Sequence, residues 1–106
     1  MIDETKIQKA LHVICTAGYA DDVVEVARKV GAGGATILNA RGEGARHQVF
    51  MGITIDSERE IILFLTDDET CEKIMQAVKE KVGFNTEANC ICFSIPVTDA
   101  IGISQH

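Results

Sequence analysis

The chain has 106 residues, 46% of them hydrophobic and 25% charged, a balance that suits one globular domain over 1–106 and excludes an unstructured polymer. Its 16 acidic against 10 basic residues give a net charge of −6, which speaks against a nucleic-acid partner, since phosphates are neutralised by clustered Lys and Arg. The opening MIDETKIQKA carries acids and lacks a signal-peptide core, and no run reaches the ~20 apolar residues of a membrane span. The expected location is the cytoplasm, with the four cysteines as reduced thiols.

Residues 10–17 (ALHVICTA) read as a first strand, with Leu11, Val13 and Cys15 on one face and His12 and Ile14 on the other. Gly18 ends it, and Asp21 and Asp22 fall in the first turn of a helix, where carboxylates meet the positive end of the dipole. Val23, Val26, Ala27 and Val30 recur at helical spacing and form one apolar stripe. Gly31, Gly33 and Gly34 stop the helix. Residues 35–41 (ATILNAR) form a second strand that runs into Gly42-Glu43-Gly44. From 45 to about 59 the pattern breaks: Val49, Ile53 and Ile55 are strand-like, while Gly52, Asp56 and Ser57 interrupt. That mixture predicts a mobile loop or an extended hairpin arm.

Residues 60–66 (EIILFLT) form a strand with Ile61, Leu63 and Leu65 on one side and Ile62 and Phe64 on the other. Thr66-Asp67-Asp68-Glu69 has the spacing of a capping box, with Thr66 as the cap. The following helix sets Cys71, Ile74, Met75, Val78 and Val82 on one stripe, and Gly83 ends it. A polar loop, 84–89, leads to a last strand over 90–97 (CICFSIPV), whose Pro96 suits a strand end.

The order βα, ββ, αβ predicts an α+β, ferredoxin-like βαββαβ fold: a four-stranded antiparallel sheet with two helices on one face. The strand 61–65 is apolar on both sides, yet two helices cover only one. Leaving the other wet would expose more contiguous apolar surface than monomers carry. Burying Ile62 and Phe64 there would contribute roughly 3–6 kcal/mol, so the expectation is a closed homo-oligomer with ligand sites at its clefts.

Candidate functional residues gather around the arm. Gly42 and Gly44 flank a charged residue at its root, Arg41 and Arg46 can grip an anion, and His47 can ligate metal or titrate near neutrality. Cys90-x-Cys92 puts two thiols on one strand face, whereas zinc sites prefer Cys-x₂-Cys turns with further ligands, so these read as core cysteines, like Cys15 and Cys71. His12 reads as a hydrogen-bonded histidine on a sheet face. No Ser/His/Asp grouping, carboxylate pair or P-loop can be assembled, so no catalysis and no metal are expected.

Residues 32–44, AGGATILNARGEG, carry a resemblance: a helix ends in Gly-x-Gly-Gly, a strand follows, and Gly-x-Gly opens a polar segment. This resembles the PII signal-transduction family. The helix beginning at Asp68, the glycine-led loop 83–89 and the strand ending Ser94-Ile95-Pro96-Val97 fall where a PII protein would put them. The resemblance implies a homotrimer with ATP or ADP in the cleft between subunits, best known from nitrogen control. By position it implies a T-loop at 43–58, a B-loop at 83–89 and a C-terminal segment at 97–106. The ligand residues it implies are Gly34, Thr36, Arg41, Gly42, Gly44, Arg46, Ala88 and Asn89. Arg46, His47 and Phe50 would contact a membrane transporter or metabolic enzyme.

The chain departs from the family where phosphate is held. By register from Pro96, the end of the B-loop, where the family has a Lys, reads Ala88, Asn89, Cys90 and Ile91, and Gly102 and Ser104 stand for a pair of Arg residues. No Tyr lies in the T-loop; Phe50 is the nearest aromatic. Three missing cations, at roughly 1.5–3 kcal/mol per charge-assisted bond, shift the expected effector from ATP toward AMP, ADP, or a non-nucleotide metabolite or anion. Other readings on the same fold are a metal-handling protein, a small-molecule or amino-acid sensor, and a purely structural trimer.

Overall fold

Apolar alternation along two long segments builds the centre of the sheet. In the computed structural model, which describes residues 6–42, 48–50, 53–55 and 57–102, these are β1 (Lys9–Thr16) and β5 (Ser57–Thr66). The remaining elements are α1 (Ala20–Lys29), β2 (Thr36–Gly42), β3 (Gln48–Phe50), β4 (Ile53–Ile55), α2 (Asp68–Lys81) and β6 (Ile91–Pro96). The four-stranded sheet runs β2-β5-β1-β6 with every pair antiparallel, the ferredoxin-like order. The short pair β3–β4 forms an extended hairpin arm between β2 and β5.

Cross-strand register decides which side of each strand meets the helices, because directly opposite residues share a face. Leu11 lies opposite Phe64 and Ser94, and Val13 opposite Ile62 and Cys92. Leu11, Val13, Ile62 and Phe64 are fully buried beneath Val23 and Ala27 of α1 and Cys71, Ile74 and Val78 of α2. Ile62 and Phe64 are thus core residues, and the uncovered face of β5 carries Ile61, Leu63 and Leu65. That reverses the sequence-based assignment of Ile62 and Phe64 to the assembly. The α1 stripe is also rotated: Ala20, Val23, Val24 and Ala27 are buried, while Val26 and Val30 pack only at the edge of the core.

Thr66 belongs to β5, opposite Lys9, so α2 is capped one residue later than the capping-box spacing predicts. Asp67 accepts from the Thr70 backbone N–H at 2.7 Å, and the Gln8 side-chain carbonyl accepts from the Asp68 N–H at 2.9 Å. Donation from Thr70 also holds the Asp67 carboxyl below its ordinary value. The Thr66 hydroxyl is buried without a hydrogen-bond partner. Asp67→Ala is therefore expected to cost about 1 kcal/mol in a denaturant titration, whereas Thr66→Val, which removes an unpaired hydroxyl, leaves stability equal or higher. At the far end of α2 the chain passes so close to the helix that a Cβ on Gly83 would sit 2.7 Å from the Lys79 carbonyl oxygen. Only glycine follows that path without displacing backbone.

Candidate functional site

The end of β1, the start of β5 and the loop 83–89 converge at one end of the sheet. The Thr16 N–H donates to the Ala88 carbonyl at 3.0 Å, and the Ala17 N–H to the Glu58 carbonyl at 3.1 Å. Arg59 Nη1 donates to Thr16 Oγ1 at 3.4 Å. Tyr19, the N-cap of α1, provides no side-chain cap. The Glu60 carboxylate takes that role, accepting from the Gly18 N–H at 2.6 Å and the Ala20 N–H at 3.4 Å. A carboxylate belongs there because the first N–H groups of a helix lack intrahelical acceptors.

The loop is self-supporting. Thr86 donates its hydroxyl to the Gly83 carbonyl at 2.7 Å and accepts from the Asn89 N–H at 3.1 Å, and the Cys90 N–H closes onto the Val82 carbonyl at 2.9 Å. Asn85 and Asn89 take φ of 68° and 46°, left-handed positions that asparagine tolerates. Tyr19 reaches across from α1, and its Oη donates to Glu87 Oε2 at 2.6 Å, which raises the phenol above its ordinary value.

Two clefts meet at Arg59. One, of about 670 Å³, lies between Thr16, Arg59, Phe84, Thr86, Glu87 and Asn89. The other, of about 740 Å³, lies between Asn39, Arg41, Glu58 and Arg59 at the root of the arm. Arg41 and Asn89 accordingly border one continuous region. Gly42 ends β2 opposite Ser57, beside it. Ala88 is buried with its carbonyl bonded to Thr16, so its side chain is no ligand wall. Thr36 lies opposite Leu63, and Gly34 precedes it, at the other end of β2 from Arg41. Within one chain these two do not join the clefts. Gly44, Arg46 and His47 lie outside the described residues; Phe50 is in β3 opposite Ile53, with its side chain outside the description.

Arg59, Glu58, Thr16, Tyr19 and Glu87 are not among the residues the sequence singles out. The available signal for Arg59 is its phase: it stands two residues before Ile61 on the uncovered face. That face exposes Leu38, Leu65, Ile91, Phe93 and Ile95, so the clefts open at the rim of an apolar surface. At its centre His12 stacks on Phe93, with centroids 4.9 Å apart and planes at 4°. Its Nδ1 is buried without a hydrogen-bond partner, contrary to the hydrogen-bonded histidine expected.

The cysteines lie between the sheet and α2, Cys71 on the helix itself. Cys15 and Cys71 are buried, Cys90 and Cys92 half-buried, and none is in a disulfide. Burial raises all four thiols; Cys90 is pushed to about 12, with Cys15 and Cys92 beside it adding to the effect. Among the described residues no group of three or more His, Cys, Asp or Glu is placed to hold a metal ion.

The ferredoxin-like sheet, the hairpin arm after its second strand and the clefts that join β1, β5 and a glycine-led loop at Arg59 are the features to compare with known proteins, and the comparison defines a small signalling regulator. The family model of the nitrogen regulatory protein P-II matches residues 8–106, and the chain belongs to that family. No curated protein matches the chain in sequence. Among solved structures it is similar to a putative PII-like signaling protein of Thermus thermophilus, with 22% identity, a TM-score of 0.65, and 85% of this chain and 86% of that one covered. It is similar to CPII, a nitrogen regulatory PII-like protein of Thiomonas intermedia bound to ADP, AMP and bicarbonate, with 14% identity, a TM-score of 0.66, and coverage of 91% and 96%. The B. subtilis GlnK–ATP complex matches at 14% identity and a TM-score of 0.70 over 92% and 90%. At these identities the likeness is one of fold. No helix among the described residues is long and apolar enough to cross a membrane.

Proposed function

We propose that the chain is a non-catalytic, cytoplasmic reporter that assembles as a homotrimer through its uncovered sheet face and binds a small effector at the Arg59 clefts. The effector class is an adenine nucleotide (AMP, ADP or ATP) or another small metabolite or anion. Occupancy is passed through the segment 43–58 to a membrane transporter or metabolic enzyme. The observation that carries this reading is the position of Arg59: it is tied to Thr16, it borders both clefts, and it stands at the edge of an apolar face that a second copy can cover. Family membership and the nucleotides bound by CPII and GlnK support the effector class.

The assembly also accounts for the separation of Gly34 and Thr36 from Arg41. The ends of one seven-residue strand are about 20 Å apart, so only a neighbouring copy brings both sets to one ligand. Calorimetry with AMP, ADP, ATP, bicarbonate and amino acids tests the reading. A bound ligand is expected for the wild type, and Arg59→Ala is expected to weaken it about tenfold or more, the loss of one charge-assisted bond. Equal affinity in the variant removes Arg59 from the site.

A further inference from the structure

We infer that Glu87, held in place by Tyr19, makes the Arg59 cleft select a nucleotide with one phosphate over its di- and triphosphate homologues. This inference rests on the nucleotide reading proposed above and goes one step past it, to the ligand's charge.

The cleft lining is acidic on balance. In the loop-side cleft Arg59 is the one cation among the described lining residues, against the carboxylates of Glu58 and Glu87; Arg41 lines the adjoining cleft at the root of the arm. A single phosphate is matched by the Arg59 guanidinium in the bidentate manner such pairs favour. A second phosphate adds like charge beside two carboxylates, and residues 83–90 contain no Lys or Arg to receive it. At separations of about 4 Å and the dielectric of bulk water, each such repulsion lowers affinity on the order of fivefold.

An exposed glutamate ordinarily turns away from an incoming anion at little cost. Glu87 must break a hydrogen bond to do so. Its Oε2 accepts from Tyr19 Oη at 2.6 Å. Tyr19 is itself anchored by its backbone, the N–H donating to the Thr16 carbonyl at 3.2 Å and the carbonyl accepting from Val23 at 3.1 Å. On the loop side, the flanking Thr86 and Ala88 are bonded to Gly83 and Thr16. The exposed Tyr19 bond and the anchored loop backbone therefore bias the carboxylate toward the mouth of the cleft. Glu87 acts as the specificity determinant, and Tyr19 is a positioning residue that acts through it.

The test compares AMP and ADP affinities by calorimetry in metal-free buffer for the wild type, Glu87→Gln and Tyr19→Phe. The wild type is expected to prefer AMP. Glu87→Gln is expected to narrow the AMP-over-ADP preference about fivefold, mainly by improving ADP, and Tyr19→Phe to narrow it less. The wild-type preference should also shrink as salt rises, which a merely structural role of the Tyr19–Glu87 bond would not produce. Nucleotide binding with a ratio unchanged in Glu87→Gln overturns the inference and leaves the nucleotide reading standing. Absence of AMP and ADP binding in the wild type and both variants overturns the two together.

Discussion

Ile91→Glu and Phe93→Glu are each expected to leave a folded single chain of 11.5 kDa, where the homotrimer proposed for the wild type would sediment at three times that mass. Ile91 is 64% and Phe93 41% exposed in the isolated chain, so a carboxylate meets water at either place; at Ile91 it disturbs the fold little, and at Phe93 it also gives up the stack on His12. In the assembly each lies on the apolar face with Leu38, Leu65 and Ile95, and an unpaired carboxylate taken out of water costs several kcal/mol. Symmetry multiplies the effect, because one substitution enters every copy of a closed oligomer. Sedimentation velocity at micromolar concentration reads the mass, and circular dichroism reads the fold. Variants that sediment like the wild type would place the contact elsewhere, and a wild type that sediments as one chain would remove the assembly altogether.

The reason the sequence misassigns this face lies in residues 61–65. Ile61 to Leu65 are all apolar, so period-two alternation supplies a phase without a sign. β1 does carry a sign, since Leu11, Val13 and Cys15 alternate with His12, but transferring it to β5 requires the register Val13 opposite Ile62. Pairing is a tertiary fact, invisible in either segment alone. The helix cap fails for the same reason. Thr66 and Asp67 are both good caps, and the competition is settled by Thr66 completing the ladder with Lys9.

Element types, their order and the ferredoxin-like topology are legible because the long helices and the central strands are strongly periodic. The site is less so. Asp56 and Ser57 look like a turn, which delays the predicted start of β5 to Glu60 and leaves Arg59 in an irregular segment. Glu87 and Tyr19 are 68 residues apart, and no spacing rule connects them. Arg41 is legible as a cation at the root of the arm, whereas Asn89 emerges through family resemblance, which transfers positions. It also transfers Ala88, whose side chain the packing has turned inward.

Phe64→Ala tests the corrected face from the side of stability and carries the largest expected loss in the single chain. Phe64 is 1% exposed, opposite a fully buried Leu11 and within the core shared by both helices. Truncating a buried Phe to Ala costs about 3–5 kcal/mol, the transfer term plus the cavity it leaves. Against the roughly 5–15 kcal/mol typical of such domains, that lowers the melting temperature by roughly 15–25 °C. Leu65 is its neighbour in sequence and is 40% exposed on the opposite face. Leu65→Ala is expected to change the chain's own stability little and to weaken association instead. Because association itself adds concentration-dependent stability, the two variants are compared by denaturant titration at matched dilution and again at high protein concentration. Phe64→Ala should be destabilised in both regimes, Leu65→Ala mainly in the concentrated one. The reverse pattern would mean that the helices cover the other side of the sheet, because a one-residue change of phase in β5 exchanges every side chain between core and interface.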